Sequence, residues 1–449
     1  MAEEAPSTSN GILYIKDSRT SLEYEIPIRR NSVEATEFKK IKCPAEDSRR
    51  ADKVANGLRI YDPRLLNTAV SENHITWADG ERGFLLFHGH TLEELSGTDF
   101  EDILHLMIWE ELPTASQREV LRYSLAAAMT KIPPSVPKVI KSFPTSAPPM
   151  PIVIAGLSAW LASEPDSIPS LAAKNIFHGN LEKVDEAIIR TIAAYGVVLG
   201  LTISYRKGCE FTPPSPDRTF YENIFTMSGN IESSTAQPNP TKLCCFRRWG
   251  PVIVDHGMTN STFALRVASS SLTDPISSLI GALTACSGLL HFGAQEAAYR
   301  TIAKVGIPEN VPTLIEKVKR KEVRLYGYGH ASYKTIDPRV APVLELLKEL
   351  GTDSIPFYDV AEAIHTATEH DEYFVKRELF PNVDHYSQLF YPTLGFGCEY
   401  SPVLSFLQRL PGFLAHWKDM MSGSIRLIRP TDIYIGPTEP TSYVRPLFR

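Results

Sequence analysis

Residues 327–339 read Gly-Tyr-Gly-His-Ala-Ser-Tyr-Lys-Thr-Ile-Asp-Pro-Arg, a compact set of groups able to do chemistry. Gly327 and Gly329 lack a Cβ and let the backbone come close to a ligand. His330 can give a proton or polarise a carbonyl. Lys334, and Arg339 nine residues after His330, can hold a carboxylate or a phosphate. A glycine turn with a surface histidine has the same composition, so spacing alone leaves the two readings level.

Helices must supply most of the scaffold that positions these groups. From about residue 91 onward the apolar residues recur at helical spacing, over Phe100–Trp109, Ala115–Met129 and Val184–Leu199. Thr91 followed by Glu94 is a capping-box start. Ahead of them, residues 11–28 alternate apolar and polar types around a Ser-Arg-Thr-Ser turn, and residues 75–87 repeat the pattern; both predict β hairpins. Residues 132–151 hold seven prolines, which fits a linker or a bend between packed helices. The basic run Lys317, Lys319, Arg320, Lys321 and Arg324 fits a solvated helix face or a phosphate site.

Composition narrows the function classes. A chain of 449 residues exceeds one ordinary core, so two domains are expected. A net charge of −6 argues against a broad nucleic-acid surface. No uninterrupted apolar run reaches the ~18 residues of a membrane span. Cys43, Cys209, Cys244, Cys245, Cys286 and Cys398 form no Cys-x-x-Cys pair, which fits reduced thiols and gives no zinc site. His88 with His90, and His365 with His370, lack metal-ligand company. The acidic first residues carry no targeting pattern, so a cytoplasmic protein is expected.

Further motifs follow in order: Asp255-His256, Leu290-His291-Phe292-Gly293-Ala294-Gln295-Glu296, Phe380-Pro381-Asn382-Val383-Asp384-His385-Tyr386-Ser387, Ala415-His416-Trp417 and Ile428-Arg429-Pro430. With residues 327–339 they resemble the citrate synthase family over about residues 11–436. The resemblance implies a mainly α, two-domain fold with short N-terminal β hairpins. It implies an N-terminal segment at 1–60, a large domain at 61–292 and 396–449, a small domain at 293–395, and a homodimer. It also implies a Claisen-type condensation of an acyl-CoA with oxaloacetate. Asp384 would be the base, His291 the donor to the enolate oxygen, and His330 the group acting on the ketone. His256, Arg339, Arg409 and Arg429 would bind oxaloacetate, with Arg429 reaching across the dimer. Leu325, Tyr326, Gly327, Tyr328, Gly329 and Lys334 would bind coenzyme A, which is a substrate; no metal and no resident cofactor are implied.

The chain departs from the family beside those residues. Phe292 stands where the family usually has Gly, Gln295 where it has Asn, Gln388 where it has Gly, Gly257 where it has an acid, and His88-Gly89-His90 where it has Arg-Gly-Tyr. A pocket remodelled around unchanged chemistry resembles the fungal enzymes that make alkylcitrates from longer acyl-CoAs. The alternatives are a citrate or 2-methylcitrate synthase and a catalytically silent CoA sensor. The presence of Asp384, His291 and His330 counts against the last.

Overall fold

The structure, a computed structural model, describes residues 10–42, 57–330 and 332–436. Its contacts divide the chain into two compact units, residues 1–72 with 429–449, and residues 73–428. Cys43 lies outside the described residues.

In the first unit Gly11–Lys16 and Glu23–Arg29 pair antiparallel, with Gly11 opposite Ile28 and Lys16 opposite Glu23. Ser32–Val33 adds a third, short strand. The connecting turn is pinned by Arg19, whose guanidinium donates to both carboxylate oxygens of Asp17 at 2.8–3.2 Å.

The second unit opens on another small sheet, Thr76–Asp79, Phe84–Phe87 and His90–Thr91, and is otherwise helical. Local chemistry sets the helix starts. Thr91 with Glu94, Asp99 with Asp102, Thr114 with Gln117 and Thr219 with Glu222 are reciprocal capping boxes, each satisfying two orphan N–H groups. The proline-rich stretch is a bend rather than a free linker. A short helix, Ser135–Ile140, forms inside it, and Pro149 begins the helix Pro149–Ala162, where proline's missing N–H costs nothing.

Two long helices make the centre of this unit. Leu181–Lys207 starts on an Asn180 cap and stops at Gly208 in the left-handed region. By length and composition it could cross a membrane, yet 89% of its most apolar window is buried inside the unit, so that surface is spent on packing. Ser401–Ser422 is buried on all sides from Ser401 to Trp417, as expected of a central helix. The predicted small domain, 293–395, falls wholly inside this unit.

Candidate active site

The two most chemical stretches are laced together by backbone. Gly329 N–H donates to Phe380 O at 2.8 Å, Asn382 N–H to Gly327 O at 2.9 Å, and the Asn382 amide to Gly329 O at 2.8 Å. Gly327 has φ +84°, and a Cβ there would lie 2.8 Å from His385 Cα. Only glycine lets the helix start at Val383 sit this close. Asp337 adds a third tie, accepting from Val383 N–H at 3.2 Å.

A cavity of about 790 Å³ opens beside this seam. It is lined by His256, His291, Leu325–Gly329, His330, Lys334, Arg339, Asp384 and Arg409. Every predicted site residue except Arg429 is therefore gathered around one space; Arg429 is an exposed residue of the first unit. Of the basic run, Arg324 alone reaches the cavity lining, while Lys319 pairs with Asp371 at 2.6 Å. Arg377, which the sequence did not single out, lines the same rim and stacks on Tyr373 at 4.0 Å.

Burial sets the protonation of the three central groups. Asp384 begins the helix Val383–Thr393 and keeps one face open to the cavity. Loss of hydration raises its pKa to about 6, against the pull of Arg339 and Arg409. His291 lies just ahead of the helix Gly293–Val305. Burial, then the Arg409 charge, lowers its pKa to about 4. Its Nε2 is 2.6 Å from Ser261 Oγ; with that hydroxyl donating, the neutral ring carries its proton on Nδ1. His330 is likewise lowered to about 4, by burial and then Arg339. Ser332 N–H donates to His330 Nδ1 at 3.0 Å, leaving the proton of the neutral ring on Nε2. The site thus offers, near pH 7, one ionised but poorly hydrated carboxylate and two neutral imidazole donors.

An anion receptor adjoins them. Arg339 is buried, and Asp337 takes its Nε and one Nη2 proton at 2.9 and 2.7 Å. The Nη1–Nη2 fork stays available. Arg409, also buried, donates Nε to Ile253 O at 3.0 Å and forms no ion pair within 4.0 Å among the described residues. Burial lowers its pKa, and a buried cation without a partner favours an anionic ligand. Arg339 Nη2 and His330 Nε2, 3.5 Å apart, are two donors that an acceptor between them would satisfy. His256, pushed well below its ordinary pKa by burial, bonds Tyr333 OH at 2.9 Å. Its neighbour Asp255 ties Thr76 at 2.6 Å to His416 at 3.3 Å, which explains why the 255–256 and 415–417 motifs occur together.

Phe292 lines the cavity with its ring 5.0 Å from the Arg409 guanidinium and 4.6 Å from the His291 ring. The ring thus packs against both the imidazole and the arginine. His88 and His90 flank a surface turn, His365 bonds Tyr386 OH at 2.7 Å, and His370 is exposed. Among the described residues no group of three or more His, Cys, Asp and Glu is placed to hold a metal ion.

Comparison with known proteins gives the arrangement a family. The family model described as "Citrate synthase, C-terminal domain" matches residues 64–431. The chain is 42% identical over 437 residues to the alkylcitrate synthase phiJ of Fungal sp., covering 96% of this chain and 95% of that protein. It is 39% identical to the alkylcitrate synthase tstJ of Talaromyces stipitatus, again over 96% and 95%. Among solved structures, citrate synthase from Pyrobaculum aerophilum matches with a TM-score of 0.77 at 26% identity, over 85% of this chain and 94% of that one.

Proposed function

This chain belongs to the citrate synthase family, and on that premise we propose that it condenses an acyl-CoA longer than acetyl-CoA with oxaloacetate to give an alkylcitrate and free coenzyme A. The observation that carries the reading is one cavity holding Asp384, His291 and His330 beside the buried forks of Arg339 and Arg409.

The chemistry follows from the protonation states. Asp384 takes a proton from the carbon beside the thioester carbonyl, while the His291 N–H holds the oxygen on which charge gathers. The new carbon–carbon bond forms to the ketone carbon of oxaloacetate, whose oxygen takes its proton from His330; the proton held by Asp384 later returns to His330 through water. A water then breaks the carbon–sulfur bond; its hydroxyl stays on the acyl carbon and its proton goes to the CoA thiolate. Arg339 and Arg409 hold the oxaloacetate carboxylates through their free forks, and His256 completes that face. Asp384 needs its raised pKa here, since a fully hydrated carboxylate is too weak a base for a carbon acid. Leu325–Gly329 and Lys334 take coenzyme A, with Arg324 and Arg377 at the rim for its phosphates.

The finer parts of the proposal are a small domain at 293–395, a homodimer in which Arg429 serves the partner's site, a cytoplasmic location and a role in secondary metabolism. The similarity to two alkylcitrate synthases supports the longer acyl substrate. The test is CoA release with oxaloacetate and saturated acyl-CoAs of increasing length. Efficiency should rise roughly four-fold per methylene until the pocket ends. If acetyl-CoA proves best, the enzyme is a citrate synthase.

A further inference from the structure

Polar residues three and four places beyond the reacting pair join two helices. Gln295 follows His291 by four residues, and Ser387 follows Asp384 by three. Asp384 and Ser387 share one face of the helix Val383–Thr393, and Gln295 lies in the first turn of Gly293–Val305, just past His291. Gln295 Nε2 donates to Ser387 Oγ at 2.8 Å, joining the helix Gly293–Val305 to Val383–Thr393. Ser405 Oγ donates to Gln295 Oε1 at 3.0 Å. The same hydroxyl is also directed at Tyr391 OH, which accepts at 3.2 Å. Tyr391 in turn accepts from Trp249 Nε1 at 3.1 Å. Four helices are linked, and none of these polar side-chain atoms is left without a partner.

Trp249, Gln295, Ser387 and Ser405 all line the cavity. Their burial sets them away from the cavity's rim. Gln295 and Ser387 are 3% and 1% exposed, whereas Leu290 at the rim is 79% exposed. The cations Arg324, Lys334 and Arg377 are also on the exposed side. In a thioester the sulfur and the alkyl carbon lie on opposite sides of the carbonyl carbon. The bulky, charged body of coenzyme A leaves through the open cationic rim, so the alkyl chain runs inward, toward Gln295 and Ser387.

We propose that Gln295 and Ser387, braced by Ser405, are the end wall of the acyl pocket and set the length of acyl chain accepted. The proposal rests on Asp384 and His291 flanking the reacting carbon. A fully paired hydrogen-bonded chain resists displacement by methylenes, because every polar atom pushed aside stays buried without a partner. Gln295 is the adjustable part, since its side chain spans the gap between two helices.

The experiment compares chain-length series for wild type, Gln295→Ala, Gln295→Asn and Gln295→Leu, with melting temperature and the KM for oxaloacetate measured alongside. Gln295→Ala should move the best acyl length up by about two or three carbons. Gln295→Asn should move it by about one, and it is the milder variant if Gln295→Ala does not fold. Gln295→Leu keeps the bulk and should leave the best length in place. The same shifts should appear in the binding of S-alkyl-CoA thioethers by calorimetry, which needs no turnover. An unmoved optimum in the smaller variants, an equal loss at every length, or a shift shared by Gln295→Leu would overturn the wall. A wild type that prefers acetyl-CoA, with smaller variants that take longer chains, keeps the wall and removes the alkylcitrate assignment. A wild type that prefers long chains, with variants that do not shift, does the reverse.

Discussion

Asp384 is a carboxyl under two opposing pressures. Protein atoms around it strip its hydration and raise its pKa, while Arg339 and Arg409 pull it down; the balance is about 6. The histidines fall to about 4 and stay neutral throughout the working range. The acid side of the pH dependence of kcat/KM should therefore be one ionisation near 6, with activity dropping tenfold per pH unit below it. Two ionisations near 6 would point to a titrating histidine instead. Asp384→Asn should cost roughly 10²–10⁴ in rate, with oxaloacetate binding nearly kept. Its stability should move the other way. The folded pKa is raised, so the folded state binds the Asp384 proton more tightly than the unfolded chain does. That contribution is full at low pH and is lost as pH rises through about 6. The amide variant should melt higher than wild type at pH 8, and the gap should close at pH 4. A variant that melts lower at pH 8 would mean that the arginines, not dehydration, govern this carboxyl.

Glycines at the seam make the same point one level up. The residues 327–339 and 380–387 read as separate motifs in the sequence, but they are one backbone junction. Gly327 is boxed in by the backbone of His385, whereas Gly329, at φ +77°, would put a Cβ 3.1 Å from Leu379 Cδ2, the end of a flexible side chain. Gly327→Ala should thus destabilise the protein by several kcal/mol and abolish activity. Gly329→Ala should cost roughly 1–2 kcal/mol and leave a folded, weakened enzyme. Thermal melts of both variants would decide, and equal losses would deny the close approach. The elements themselves were largely legible. Phe100–Trp109 and Ala115–Met129 form with those bounds because their apolar period and caps agree. The proline-rich stretch was ambiguous, since proline at a helix start and proline in a linker look alike until the neighbours are known. Asp337 stood in the quoted motif without a role, and Ser261 gave no sequence signal: their work is to pair with Arg339 and His291, and such pairing exists only after folding. The Gln295–Ser387 bond is of the same kind, joining residues 92 apart.

At the scale of the whole molecule, the prediction concerns Arg429, proposed above to serve the site of a partner subunit. The second unit supplies the base, both imidazoles and two arginine forks, while Arg429 is an exposed residue of the first unit. In a symmetric dimer an arm that leaves one subunit can complete its partner's site and receive the same service in return. Arg429→Ala and Asp384→Asn should each be nearly inactive alone, for different reasons: one lacks a cation for oxaloacetate, the other lacks the base. Refolded or co-expressed together, they should regain activity. A mixed dimer then has one site with an intact Asp384 served by the intact Arg429 of the other subunit, and one site with neither. Random pairing makes about half of the dimers mixed, so about a quarter of wild-type activity should return. The recovery should track the fraction of mixed dimers, counted by native mass spectrometry. Two inactive parents that stay inactive in verified mixed dimers would show that each site is built within a single subunit. A fully active Arg429→Ala parent would show that Arg339 and Arg409 suffice to hold both carboxylates.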